Sequence, residues 1–233
     1  MKLVMKFGGT SVGESSKIKH VASIIRDHAL KGNKIVVVVS GMSGVTDGLI
    51  EAVEKAGMRD RVSIEAFVKS VARRHTQASQ DTIKNGEILE QTLSLLNGQI
   101  AELEKVLVGI TYLGELTPRT RDHVLSFGEK LSAIVMSGAL RDVGLRTESF
   151  LGGQCGIVTD NCFGEAKPLM NITRQQVKER LGPIIEAGVV AVVSGFIGTT
   201  QDGLTTTLGR GGSDYTATIL GAALQVDEVW IWT

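Results

Sequence analysis

Cysteine is scarce: the 233 residues hold two, Cys155 and Cys162, with no dense pattern around them. That usage reads as two reduced thiols of an intracellular protein rather than a disulfide framework. A charge imbalance is lacking too, with 25 basic and 25 acidic side chains and a net charge of zero. Binders of nucleic acid or of an anionic membrane show a basic excess, so neither partner is expected. No apolar run approaches the roughly 18–20 residues of a membrane span. The opening MKLVMKFGG is too short in apolar residues for a signal peptide, and a cytoplasmic protein is expected. The four histidines, at 20, 28, 75 and 123, are scattered and read as surface residues. With no Cys/His cluster at ligand spacing, no protein metal site is expected. Three chemical signatures are also missing: the nucleophile elbow G-x-S-x-G, the phosphate loop G-x-x-x-x-G-K-[ST] and the dinucleotide fingerprint G-x-G-x-x-G.

What is present is glycine and β-branched residues in alternation. Residues 2–7 form a short apolar strand, and the helix after it carries Ile18, Val21, Ile24 and Ile25 at helical spacing, stopping at Gly32. KIVVVVS (34–40) is a continuous run typical of a strand buried on both faces of a parallel sheet. A glycine turn and another helix follow, which makes a βαβα unit. After residue 115 the alternation resumes. Thr117-Pro118 is an N-cap with proline at the first helical position. LRTESF, GIVTD, VVAVVSGF and DEVWIWT read as strands, the last two as buried ones, and TTQDGLTTTLGRGGSD reads as a loop with a small hairpin. The fold expected is α/β: a three-layer α/β/α sandwich around a mostly parallel central sheet, in one domain over 1–233.

A helical insertion at about 58–115 interrupts it. Leu89, Leu93, Leu96, Ile100, Leu103, Leu107 and Ile110 alternate spacings of four and three, a seam of heptads on one helix. Phe67, Val68, Val71 and Ala72 give a preceding helix a matching face. This is either a coiled-coil dimer arm or an intramolecular hairpin, and short seams usually pack locally, which favours the hairpin.

The chemistry falls at the strand ends, where ligands bind in open α/β sheets. Three Gly/Ser/Thr-rich stretches lie there: KFGGTSVG (6–13), SGMSGVT (40–46) and GRGGSD (209–214). Glycine lets the backbone approach a ligand, and helix N-termini attract anions. By itself GG marks a turn as readily as a cradle, but one sheet edge does not need three such turns merely to fold. Lys6 then supplies the point charge of a phosphate cradle. Arg210, between glycines, suits bidentate capture of a carboxylate or phosphate. Ser213 and Asp214 stand at a helix start, where either could be an N-cap. Glu129, after a glycine in SFGEKLSA, reads on its own as a solvated or capping carboxylate.

KFGGTSV, VVVVSGMSGVTDGL, SFGEKLSA, GFIG and TTTLGRGGSDYTA occur in an order and spacing that resemble aspartokinases, archaeal-type members of the amino-acid kinase family, from residue 1 to 233. The resemblance implies transfer of phosphate from ATP, with Mg²⁺, to the β-carboxylate of L-aspartate, the entry to lysine, threonine and methionine biosynthesis. It implies Lys6 and Asp214 as catalytic, the carboxylate orienting the lysine. ATP would lie on Lys6, Phe7, Gly8, Gly9, Ser40 and Thr233. The amino acid would lie on Thr46, Gly152, Gly153 and Ser213, its ammonium on Glu129 and its α-carboxylate on Arg210. Mg²⁺ would sit on phosphates and water rather than in a protein cage. Three other readings stay open: an acetylglutamate or glutamate kinase-like enzyme, a non-catalytic regulatory fragment, and a dinucleotide-dependent oxidoreductase, against which the missing fingerprint speaks. Because EVWIWT stops on a strand, the chain is expected to be a catalytic domain truncated at its C-terminal end, lacking regulatory domains and homo-oligomeric in its full-length form.

Overall fold

A computed structural model describes residues 1–151 and 153–233. Its elements run β1 (Lys2–Phe7), α1 (Ser15–Leu30), β2 (Lys34–Val39), α2 (Val45–Gly57), α3 (Arg61–Thr82), α4 (Gly86–Leu113), α5 (Pro118–Leu125) and α6 (Phe127–Asp142). Then follow β3 (Thr147–Phe150), α7 (Met170–Glu186), β4 (Val190–Ser194), β5 (Ile197–Thr199), β6 (Thr205–Thr207), α8 (Gly212–Leu224) and β7 (Glu228–Trp232). Five strands make a parallel sheet in the order β3-β4-β2-β1-β7, and β5 pairs antiparallel with β6 beside it.

Period-two alternation sends each strand's side chains to two separate cores. Leu3, Met5 and Phe7 of β1 join Ile35, Val37 and Val39 of β2 under helices α1 to α6. Val4, Val36 and Val38 point the other way, into a core closed by α7 and α8. The result is the expected three-layer sandwich around a parallel sheet. Burying each such side chain contributes about 1.5–3 kcal/mol, so both sheet faces are strongly specified.

The heptad seam is used inside the chain. Leu96, Ile100, Leu103, Leu107 and Ile110 of α4 are buried, α3 packs against them, and both helices join the main core. Asp60 caps α3 by accepting from the Ser63 N–H, Asn85 caps α4 by accepting from the Ile88 N–H, and Gly114 ends α4 at φ 71°. The buried face of α3 runs through Ile64, Val68, Val71 and His75, whereas Phe67 leans on Gly48 of α2. His75 is thus a core residue, not a surface one, because its spacing puts it on the inner side of α3. Its Nδ1–H donates to the Val71 carbonyl at 2.8 Å, and Nε2 has no partner. Burial pulls its pKa down to about 4, so the ring is neutral.

Two strand expectations differ from the structure. GIVTD forms isolated bridges only, Val158 with Thr199 and Thr159 with Pro168, because a side-chain hydroxyl (Thr173) takes the Val158 N–H. β7 is an outer strand paired to β1 alone, so its side chains are half-buried or exposed rather than buried. Thr117 caps α5 with Pro118 at its start, as the sequence predicts. Among the described residues, no helix is long and apolar enough to cross a membrane.

Candidate active site

The parallel strands β1 and β2 deliver their carboxyl ends side by side, so the loops after them touch. Gly8 N–H donates to the Trp232 carbonyl at 2.9 Å, and Ser43 N–H donates to the Gly9 carbonyl at 3.2 Å. A Cβ on Gly9 would stand 2.5 Å from the Gly41 carbonyl oxygen, so only glycine allows this approach. Arg74 of α3 braces both loops, donating to the Ser43 carbonyl at 2.7 Å and the Gly13 carbonyl at 3.4 Å. Helices α2 and α8 start beside them from Gly44 and Gly211, at φ 79° and 72°.

The loops surround a cavity of about 540 Å³. Its wall includes Lys6, Gly9, Ser40, Thr46, Glu129, Arg210, Ser213 and Asp214. Four other candidates lie off the wall. Phe7 follows Lys6 on the strand, so its ring points into the opposite core, stacked on Trp232 at 4.6 Å. Gly8 is buried backbone against Trp232, with Thr233 beside it. Gly153 packs tightly on Thr199, and its carbonyl accepts from Arg180. Gly152 lies outside the described residues.

Lys6 threads its stem between buried neighbours and ends 2.6 Å from Asp214 Oδ1, with the lysine side chain 7% exposed and the aspartate 43%. Asp214 sits in the first turn of α8, where the helix dipole favours a carboxylate. Neither Ser213 nor Asp214 caps that helix, because Gly211 holds the cap position, and both side chains are left for the cavity.

Glu129 departs most from a solvated carboxylate. It is buried in the first turn of α6, with Oε1 accepting the Gly41 N–H at 3.0 Å. Oε2 is buried without a hydrogen-bond partner. Burial pushes the carboxyl up to about 7, against the pull of the backbone N–H groups of Gly41 and Glu129. A buried acceptor with no donor costs stability unless a ligand supplies one. Arg210 lines the same cavity, exposed, with no ion-pair partner among the described residues. The cavity therefore offers one site for a cation and one for a carboxylate, with a lysine beside them.

Sequence reasoning passed over Arg121, Asp122 and Thr207, which also line the cavity. Asp122 is buried, and its carboxylate accepts from Thr207 N–H, Thr207 Oγ1 and Gly164 N–H, each at 2.9 Å. Burial outweighs those bonds and raises its pKa. The available signal was an acid on the inward face of a short helix, three positions before the apolar Leu125. Among the described residues, no group of His, Cys, Asp and Glu could hold a metal ion.

A parallel α/β sheet with a lysine at the end of its first strand and glycine loops at helix starts makes this an open α/β protein with its cavity at the carboxyl ends of the strands, where such folds bind ligands. The chain belongs to the amino acid kinase family, which matches it over residues 1–233. It is 35% identical to Aspartokinase 1, chloroplastic, of Arabidopsis thaliana, over 98% of this chain and 39% of that protein. It is 32% identical to an aspartokinase of Geobacillus stearothermophilus, over 99% of this chain and 42% of that one. E. coli aspartokinase III, solved in complex with aspartate and ADP, superposes with a TM-score of 0.86 at 27% identity, covering 100% of this chain and 49% of its own. The chain thus spans less than half the length of these relatives.

Proposed function

We propose that this chain forms the phosphate-side and amino-acid sites of a kinase that transfers the terminal phosphoryl group of ATP to the β-carboxylate of L-aspartate, giving 4-phospho-L-aspartate. The observation that carries it is the buried, unpartnered Oε2 of Glu129 in the same cavity as the unpaired Arg210 and the Lys6–Asp214 pair. A free amino acid has a charge for each: its ammonium for Glu129 and its α-carboxylate for Arg210. Its β-carboxylate is the nucleophile and is already ionised near neutrality, so no general base is required. What remains is positioning and charge neutralisation, the main tasks in phosphoryl transfer. Lys6 meets the phosphates, Asp214 orients its ammonium, and the loops at Gly9 and Ser40 keep side chains out of the way.

Mg²⁺ would arrive on the phosphates of ATP, which suits a cavity with a single half-open carboxylate, Asp214, beside the lysine. We place the reaction in the cytoplasm, at the entry to lysine, threonine and methionine synthesis, in a homo-oligomeric full-length protein. The aspartokinase names of the relatives and the ADP and aspartate in the E. coli structure support the kinase reaction and its substrates. A coupled ADP-release assay of the full-length protein across aspartate, glutamate, N-acetylaspartate and N-acetylglutamate tests it. Turnover on aspartate alone is expected. Preference for an N-acetylated acceptor would overturn the assignment of Glu129 to an ammonium.

A further inference from the structure

We propose that Asp122 is the positioning residue that sets Arg210, by binding three backbone segments into one unit. This rests on the reading of Arg210 as the carboxylate anchor. Asp122 belongs to α5, Thr207 ends β6, and Gly164 lies in the loop before α7. Oδ2 accepts both the Gly164 and the Thr207 N–H, and Oδ1 accepts the Thr207 hydroxyl. The three segments are also joined to each other. Ala166 N–H donates to the Thr207 carbonyl at 2.9 Å, and a Cβ on Gly209 would stand 3.4 Å from the Gly164 carbonyl oxygen. Arg210 follows three residues after Thr207. Its loop is therefore held at its root by one carboxylate and underneath by the segment that the same carboxylate holds.

The chemistry explains why an acid stands there. Three donors converge on two oxygens, and only an ionised carboxylate accepts on both sides. Asparagine would offer one uncharged acceptor oxygen and turn its N–H₂ toward the Thr207 hydroxyl, which would have to reverse and accept. The neighbouring residue adds a second, weaker tie between the same elements: His123 Nδ1 lies 3.5 Å from Thr205 Oγ1. Three of the carboxylate's acceptor positions are taken by these two segments, so we assign Asp122 to holding the Arg210 loop.

The test compares Asp122→Asn and Thr207→Val with wild type in the full-length protein. Thr207→Val removes one donor, keeps the N–H, and leaves a near-isosteric side chain that folds if Asp122→Asn does not. Steady-state kinetics in both substrates is paired with amide hydrogen exchange across 205–214. For Asp122→Asn the expectation is a KM for aspartate raised at least about tenfold, as expected for losing charge-assisted hydrogen bonds, with KM for ATP nearly unchanged. Thr207→Val shifts the same way by less, and exchange quickens at 207–210 while other segments keep their protection. Equal rises in both KM values, or wild-type exchange at 207–210 in Thr207→Val, would overturn the proposal. If wild type does not use aspartate, the functional reading fails by itself, and the exchange data alone decide whether Asp122 holds the loop.

Discussion

Lys6 of β1 and Asp214 of α8 stand 2.6 Å apart, the lysine buried and the carboxylate half-open to the cavity. The pair keeps a cation at the sheet edge without closing it off, since an approaching phosphate can take up donors that Asp214 releases.

Lys6→Met keeps the buried stem and removes the charge. The expected result is a loss of turnover of about 10²–10³-fold, the usual cost of deleting one stabilising donor, with little change in thermal midpoint. Asp214 keeps its open side in solvent, while its buried Oδ1 loses the lysine as partner. Turnover within a few-fold of wild type would show that Lys6 does not act on the transferring group.

Glu129→Gln and Arg210→Ala are expected to raise KM for aspartate by about tenfold or more, while KM for ATP stays put, because each removes one charge-assisted contact to the amino acid. Initial-rate kinetics with both substrates varied checks this. A rise confined to the KM for ATP would reassign both residues.

Stability against pH should carry two opposed contributions, from Glu129 and His75. Glu129 has its carboxyl raised from 4.5 to about 7, so between those values the folded state holds a proton that the unfolded chain releases. Raising the pH through that window then destabilises the ligand-free protein by about 3 kcal/mol. His75 is lowered from 6.5 to about 4, so in that window the unfolded chain takes a proton that the fold refuses. Raising the pH there stabilises by about the same amount. In urea titrations from pH 4.5 to 7.5, stability should rise more with pH in Glu129→Gln than in wild type, and less in His75→Leu than in wild type. Parallel profiles in all three proteins would refute both burial effects.

Gly9→Ala should damage the site without touching a charge. Its Cβ would meet backbone at Gly41, which cannot rotate aside as a side chain can. The two loops must separate, and both KM values should rise together with the fold intact by circular dichroism. Wild-type kinetics would mean the loops have slack that the geometry does not show.

The layered fold was legible because β-branched runs and helical periodicity report burial directly, as in KIVVVV and in the seam from Leu96 to Ile110. The three glycine loops were legible because close approach leaves few residue types. Asp122 and Arg74 were not, because both act through backbone groups on segments far away in the chain, and no local spacing records that. Glu129 was visible as a residue but not as a buried one, since the neighbour that binds its carboxylate, Gly41, lies 88 positions earlier in the chain. His75 shows the reverse error: scattered in the sequence, it falls on the inner face of α3, where position on the helix outweighs polarity.

The stack of Phe7 on Trp232 has an optical consequence. The chain has two tryptophans, Trp230 and Trp232, both on β7, with their rings 5.7 Å apart. Trp232 also accepts, through its carbonyl, the N–H of Gly8 at the root of the first glycine loop. The indole fluorescence of this chain therefore originates on one outer strand, with Trp232 hydrogen-bonded through its backbone to the proposed phosphate cradle. Movement of that loop acts on Trp232 directly and on Trp230 through the contact of their rings, which gives ligand titrations an intrinsic optical signal.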